Sequence, residues 1–104
     1  MNINFDEIVE KLIPLDPEQI ILFGSYAKGT ASENSDIDIC IVKSDIKSSQ
    51  SSFKLKARKN LRDFILTNHI GIDILTISEE DLNNKEDYFY KEDLVKNGKI
   101  LYAK

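Results

Sequence analysis

"ILFGSYAKGTASENSDIDICIV", from Ile21 to Val42, holds two apolar runs joined by a polar turn, and the way the second run begins decides the reading of the whole chain. The first run, "QIILF" at about 19–23, is short, apolar and bounded by Pro17 and Gly24, which is the pattern of a buried strand. The second opens "DIDICIVK". Successive side chains of a strand point to opposite faces, so Ile37, Ile39 and Ile41 share one face and Asp36, Asp38, Cys40 and Val42 the other. One aspartate at a strand start is an ordinary turn residue. A second on the same face requires another reason.

Outward from this stretch, the period changes. Phe5, Ile8, Val9, Leu12 and Ile13 recur with helical spacing, Asn4 stands at an N-cap position with Glu7 three residues on, and Pro14 closes the segment. After the polar loop "KSDIKSSQS", Phe53, Ala57, Leu61, Phe64 and Ile65 form a second helical stripe. Lys54, Lys56, Arg58, Lys59 and Arg62 occupy the rest of that helix and read as a solvated face. "GIDILTI" gives a third strand with Asp73 near its start. Ser78 caps a short acidic helical turn, and a last helix from about Tyr88 stops at Asn97-Gly98. Tyr88, Phe89 and Tyr90 read as core or interface, and His69 falls near a helix end.

The expected architecture is an α/β (α+β) domain: a small mixed sheet with helices mainly on one face. At 104 residues, without repeats or linkers, the chain reads as one domain over 1–104. No apolar run reaches the roughly 20 residues of a membrane span, and the acidic amino terminus does not resemble a signal peptide. The lone Cys40 reads as a core residue of a reducing compartment, so a cytoplasmic protein is expected. A net charge of −4 argues against direct nucleic-acid binding.

Strand, helix and strand from Asp36 to Ile77 make a βαβ unit, whose crossover suits two parallel strands. Asp36 and Asp38 then meet Asp73 at one sheet end. If the connection after Phe23 holds a short helix and returns antiparallel, Gly24-Ser25 arrives there too. Carboxylates so placed repel one another unless a cation neutralises them. Oxygen ligands without histidine or cysteine favour hard ions, Mg²⁺ or Mn²⁺, and Mg²⁺ commonly shares its site with substrate phosphates. "GSYAKG" supplies a phosphate-binding turn, in which Gly24 admits close backbone approach and Ser25 can donate a hydrogen bond. Two ions bridged by Asp36 and Asp38 would clamp an in-line phosphoryl displacement, with Asp73 assisting the attacking hydroxyl. A P-loop is disfavoured, because Thr30-Ala31 stands where Lys-Ser/Thr is required.

Gly24-Ser25, ten intervening residues, Asp36-Ile37-Asp38 and the later Asp73 resemble the signature of the DNA polymerase β-like nucleotidyltransferase superfamily. The short length and the ending "VKNGKILY" resemble its minimal members, antitoxins paired with HEPN-domain toxins. The resemblance implies the fold of that superfamily and Mg²⁺-dependent transfer of AMP from ATP to a hydroxyl of the partner toxin, in several members a tyrosine. It also implies roles: Gly24, Ser25 and Lys28 for the nucleotide, Asp36 and Asp38 for two metal ions, Asp73 for the catalytic one. Many relatives carry arginine where this chain has Lys28, and lysine lacks the bidentate fork. Two alternatives stand beside this reading: an antitoxin that acts by binding alone, and nucleotidyl transfer to a small molecule.

Overall fold

The computed structural model describes residues 3–44, 51–84, 94 and 96–104. Strand β1 (Gln19–Phe23) leads into a short helix α2 (Gly24–Lys28), and the chain returns as β2 (Ile37–Val42). Helix α3 (Ser51–Asn68) crosses over to β3 (Ile72–Ile77), helix α4 (Glu79–Asn84) follows, and β4 (Lys99–Ala103) ends the chain. The sheet order is β3-β2-β1-β4. Strand β1 runs antiparallel to both β2 and β4, while β2 and β3 are parallel, so the sheet is mixed as expected.

Helix α1 (Phe5–Leu12) begins where Asn4 Oδ1 accepts a hydrogen bond from the Glu7 N–H at 3.3 Å, which satisfies one of the donors a helix start leaves unpaired. It buries Ile8 and Leu12 and gives way to a 3-10 turn, Ile13–Leu15, around Pro14. In α3, Phe53, Ala57, Leu61 and Phe64 are buried and Ile65 is half-buried, the stripe that helical spacing predicts. The two helices cover the face of the sheet that carries Ile20, Leu22, Ile37, Ile39, Ile41, Ile72 and Ile74. Full burial of such side chains, each worth roughly 1.5–3 kcal/mol, makes this layer the main source of stability.

The opposite face is not bare along its whole length. Ile21, Cys40, Val42 and Ile77 form a smaller cluster with Leu82 of α4 and with Leu94, and Phe23 and Leu75 pack against it. Among the described residues this apolar cover lies mainly toward the carboxyl end of β2, with Phe23, opposite Asp38, at its border. Burial pushes the Cys40 thiol up to about 12, so it remains a neutral core group.

Strand β2 begins at Ile37, so Asp36 precedes the strand by one residue. Strand β4 was not expected: "KILYA" follows a helix stop, and its Ile100 is exposed, so no burial pattern marks it out. Its pairing with β1, across an irregularity between Ile20 and Ile21, places it on the far sheet edge. The expected helix from Tyr88, with its aromatic cluster, lies largely outside the described residues.

His69 follows the last residue of α3 with φ 54°, a left-handed position that ends the helix. A side chain there opposes the backbone by about 1–2 kcal/mol, against which glycine's greater freedom in the unfolded chain must be set. His69→Gly is therefore expected to raise the unfolding free energy by about 0.5–1 kcal/mol. Urea denaturation measures the change, and a fall would show that the imidazole contributes more than its backbone costs.

Candidate active site

The register of the sheet brings the acidic residues together. Asp38 lies opposite Phe23 of β1 on one side and opposite Asp73 of β3 on the other. Side chains of directly paired residues on neighbouring strands emerge on the same face, so the Asp38 and Asp73 carboxyls are lateral neighbours. Ile37 pairs with Ile72, and the Ile37 N–H donates to the Gly71 carbonyl at 2.9 Å, which carries the ladder one step further and sets Asp36 beside Gly71. Alternation turns Ile37, Ile39, Ile72 and Ile74 into the main core and the aspartates away from it.

The electrostatics follow from this crowding. The Asp38 carboxyl is held above the ordinary carboxylate range, first by partial burial, then by the nearby charges of Asp73 and Asp36, and by a hydrogen bond with Asp73 that favours its protonated form. Asp36 and Asp73 are exposed and Asp38 is half-buried. Among the described residues, no group of three or more Asp, Glu, His or Cys side chains is placed to hold a metal ion by itself. The pair Asp38 and Asp73 is in contact, whereas the Asp36 carboxylate leans over the Cα of Gly71. An all-oxygen set of crowded carboxylates suits a hard divalent cation.

Gly24 and Ser25 reach the same sheet end. Phe23 is the last residue of β1 and pairs with Asp38, and α2 starts at the next residue. Gly24 adopts φ 72°, and its missing side chain leaves room for the Asp38 carboxylate, which lies where a Cβ would stand. Phe23, the N-cap residue of α2, makes no side-chain capping hydrogen bond. Lys28 is exposed at the other end of this short helix, so the structure brings Gly24, Ser25, Asp36, Asp38 and Asp73 to one end of the sheet and sets Lys28 one turn away. The loop into β2 is shaped by Ser32 and Ser35, whose mutual bonds include Ser32 N–H to Ser35 Oγ at 2.9 Å.

The basic part of α3 does not belong to this site. Leu55, Arg58, Lys59, Arg62, Ile65 and Leu66 line a shallow depression of about 420 Å³ on the outer surface of that helix. Helix α3 packs on the isoleucine face of the sheet, and the aspartates emerge on the other. What sequence reasoning missed is Gly71. Its position immediately before "IDILT" was visible, but a glycine before a strand is usually read as a turn residue.

A mixed sheet that presents acidic residues beside a strand–turn–helix is the frame of a nucleotidyl-transferring domain. The chain matches the family model of the nucleotidyltransferase domain over residues 3–66 and belongs to that family. It is 34% identical over 85 residues to a Methanocaldococcus jannaschii protein named as a candidate protein adenylyltransferase, covering 82% of this chain and 78% of that one. Among solved structures, a toxin-antitoxin with AMP-PNP superposes with a TM-score of 0.68 at 24% identity, over 98% of this chain and 75% of the other. A protein from Sulfolobus solfataricus, described as a candidate nucleotidyltransferase, superposes with a TM-score of 0.61, also at 24% identity, over 96% and 78% of the two chains. These structural likenesses establish the shared fold.

Proposed function

We propose that this chain transfers AMP from ATP to a hydroxyl of a partner protein, an HEPN-type toxin whose acceptor is a tyrosine, and so acts as its antitoxin. The observation that carries the chemistry is the lateral contact of Asp38 with Asp73, with Asp36 beside them and the Gly24-Ser25 turn at the same sheet end. The partner is supported by the relative named for protein adenylylation and by the neighbouring toxin-antitoxin structure that holds an ATP analogue. A surface site on so small a domain offers little wall of its own for a separate acceptor pocket, which fits an acceptor brought by another protein.

In this reading Asp36, Asp38 and Asp73 would hold Mg²⁺, two ions by resemblance, with Mn²⁺ as a substitute, together with substrate oxygens, and the metal would supply Lewis-acid neutralisation of triphosphate charge. Gly24 and the opening N–H groups of α2 admit and bind the phosphates, the Ser25 hydroxyl donates to them, and Lys28 adds a positive charge. The acceptor oxygen attacks the α-phosphorus, the bond from that phosphorus to the bridging oxygen breaks, and pyrophosphate departs. Asp73 receives or orients the proton released by the acceptor hydroxyl.

The direct test is to incubate the purified chain and the protein that copurifies with it in ATP and Mg²⁺, and to record intact masses. The expected result is a partner heavier by whole AMP units with the native chain and unchanged with Asp36→Ala. An unmodified partner in a stable, neutralised complex would overturn the catalytic reading in favour of an antitoxin that acts by binding.

A further inference from the structure

Gly71 has no conformational reason to be glycine. Its φ lies outside the left-handed region that requires one, it is exposed, and it sits at the entrance of β3, where a side chain would favour the strand. The space that its absent side chain would occupy is taken by Asp36: a Cβ on residue 71 would stand 2.6 Å from Asp36 Oδ1 and 3.1 Å from Asp36 Cγ. The register explains the encounter. Residue 71 is the lateral neighbour of Asp36, one step before the Ile37–Ile72 pair, and its Cβ would emerge on the face shared by Asp36, Asp38 and Asp73. Gly24 leaves the same kind of space for Asp38 on the other side of β2.

We propose that Gly71 is a positioning residue of the site: its bare Cα is the floor on which the Asp36 carboxylate rests, and this holds Asp36 in line with Asp38 for a shared divalent cation. The inference rests on the metal-dependent reading above and deepens it. Its physical content is that the cost of a side chain at 71 falls on Asp36 and not on the fold. Asp36 is exposed and its side chain is short, so an added methyl group is met by a change of rotamer that carries the carboxylate away from the strand. The backbone of residue 71 accepts alanine without strain, and its carbonyl bond to Ile37 is untouched.

The two consequences have opposite signs, which separates positioning from structural support. Gly71→Ala is expected to keep or raise the thermal unfolding midpoint, since alanine restricts the unfolded chain more than glycine does. It is also expected to weaken Mn²⁺ binding by about tenfold or more, the scale seen when groups that orient metal ligands are changed. The measurement is calorimetric titration of the full chain with Mn²⁺ in the presence of a non-hydrolysable ATP analogue, beside a melting curve of each protein. Asp36→Ala sets the affinity expected when this carboxylate is gone. Native-like Mn²⁺ affinity in Gly71→Ala would overturn the proposal, as would a loss of affinity accompanied by a lowered midpoint, which would mark a damaged fold. Absence of Mn²⁺ binding by the native chain would instead overturn the metal-dependent reading on which the proposal stands.

Discussion

Asp38→Asn is expected to abolish nucleotidyl transfer and to make the protein harder to unfold at neutral pH. Under the proposed mechanism the functional loss follows from its place in the register, opposite both Phe23 and Asp73, as the central carboxylate of the candidate site. Charge stabilisation by a bound metal is worth several kcal/mol in the transition state, and each ~1.4 kcal/mol is a factor of ten, so a loss of about a thousandfold is expected in single-turnover assays. The gain in stability has the same origin. Asp38 holds its proton more tightly in the folded chain than an ordinary aspartate does, because burial and the charges of Asp73 and Asp36 oppose its ionisation. A group whose folded pKa is raised contributes its stability below the ordinary carboxylate range and loses it as pH rises through the raised value. Asparagine does not ionise and can donate a hydrogen bond to Asp73. The difference in melting midpoint between Asp38→Asn and the native chain should therefore be small in acid and grow toward neutrality. Added Mg²⁺ should raise the native midpoint and leave the variant's nearly unchanged. A variant that melts below the native chain at neutral pH would show that the Asp38 charge is already compensated within the protein.

This opposition between stability and function also explains which parts of the molecule were legible in its sequence. The alternation in "DIDICIV" is a statement about faces, and a face is a local property. Ile37, Ile39 and Ile41 had to enter the core, so Asp38 had to leave it on the other side, whatever the strand paired with. The stripe from Phe53 to Phe64 required a helix, and that helix is long enough to make β2 and β3 parallel, which predicts the meeting of Asp38 with Asp73. Strand β4 lacks such a mark. With Lys99 and Ile100 exposed and Leu101 and Tyr102 only half-buried, its place at the edge depends on backbone pairing with β1, which composition does not encode. Gly71 was illegible for a related reason. Gly71, unlike Gly24, carries no motif of its own in the sequence, and only the register across β2 and β3 shows that it lies beside Asp36. The motif read from the sequence contains the aspartates and the Gly-Ser turn, while the closeness of Gly71 to Asp36 becomes visible in three dimensions alone.

Gly24→Ala should separate these two glycines further, because it adds a backbone cost that Gly71→Ala avoids and meets a carboxylate that yields less readily. The backbone at Gly24 is left-handed, with φ 72°, and a Cβ there opposes the fold by about 1–2 kcal/mol. The same Cβ would overlap the Asp38 carboxylate oxygen and stand only 3.0 Å from Asp38 Cγ and 3.3 Å from Asp38 Cβ. Asp38 has less freedom to yield than Asp36, since it lies within β2, is half-buried and already contacts Asp73. Relief must come from the junction of β1 with α2, which carries Ser25 as well. The expected outcome is a loss of about 1–3 kcal/mol in unfolding free energy, from left-handed strain together with overpacking. Transfer should fall by about a hundredfold, the penalty that a displacement of about 1 Å can impose on aligned reacting groups. Urea unfolding and single-turnover transfer, measured on the same preparation, check both halves. Gly24→Ala in an Asp38→Gly background supplies the decisive comparison: with the carboxylate removed, the overlap vanishes and the backbone strain alone remains. The destabilisation should then shrink toward the cost of the left-handed backbone. If it does not, the close approach of Gly24 and Asp38 plays no part in holding the site.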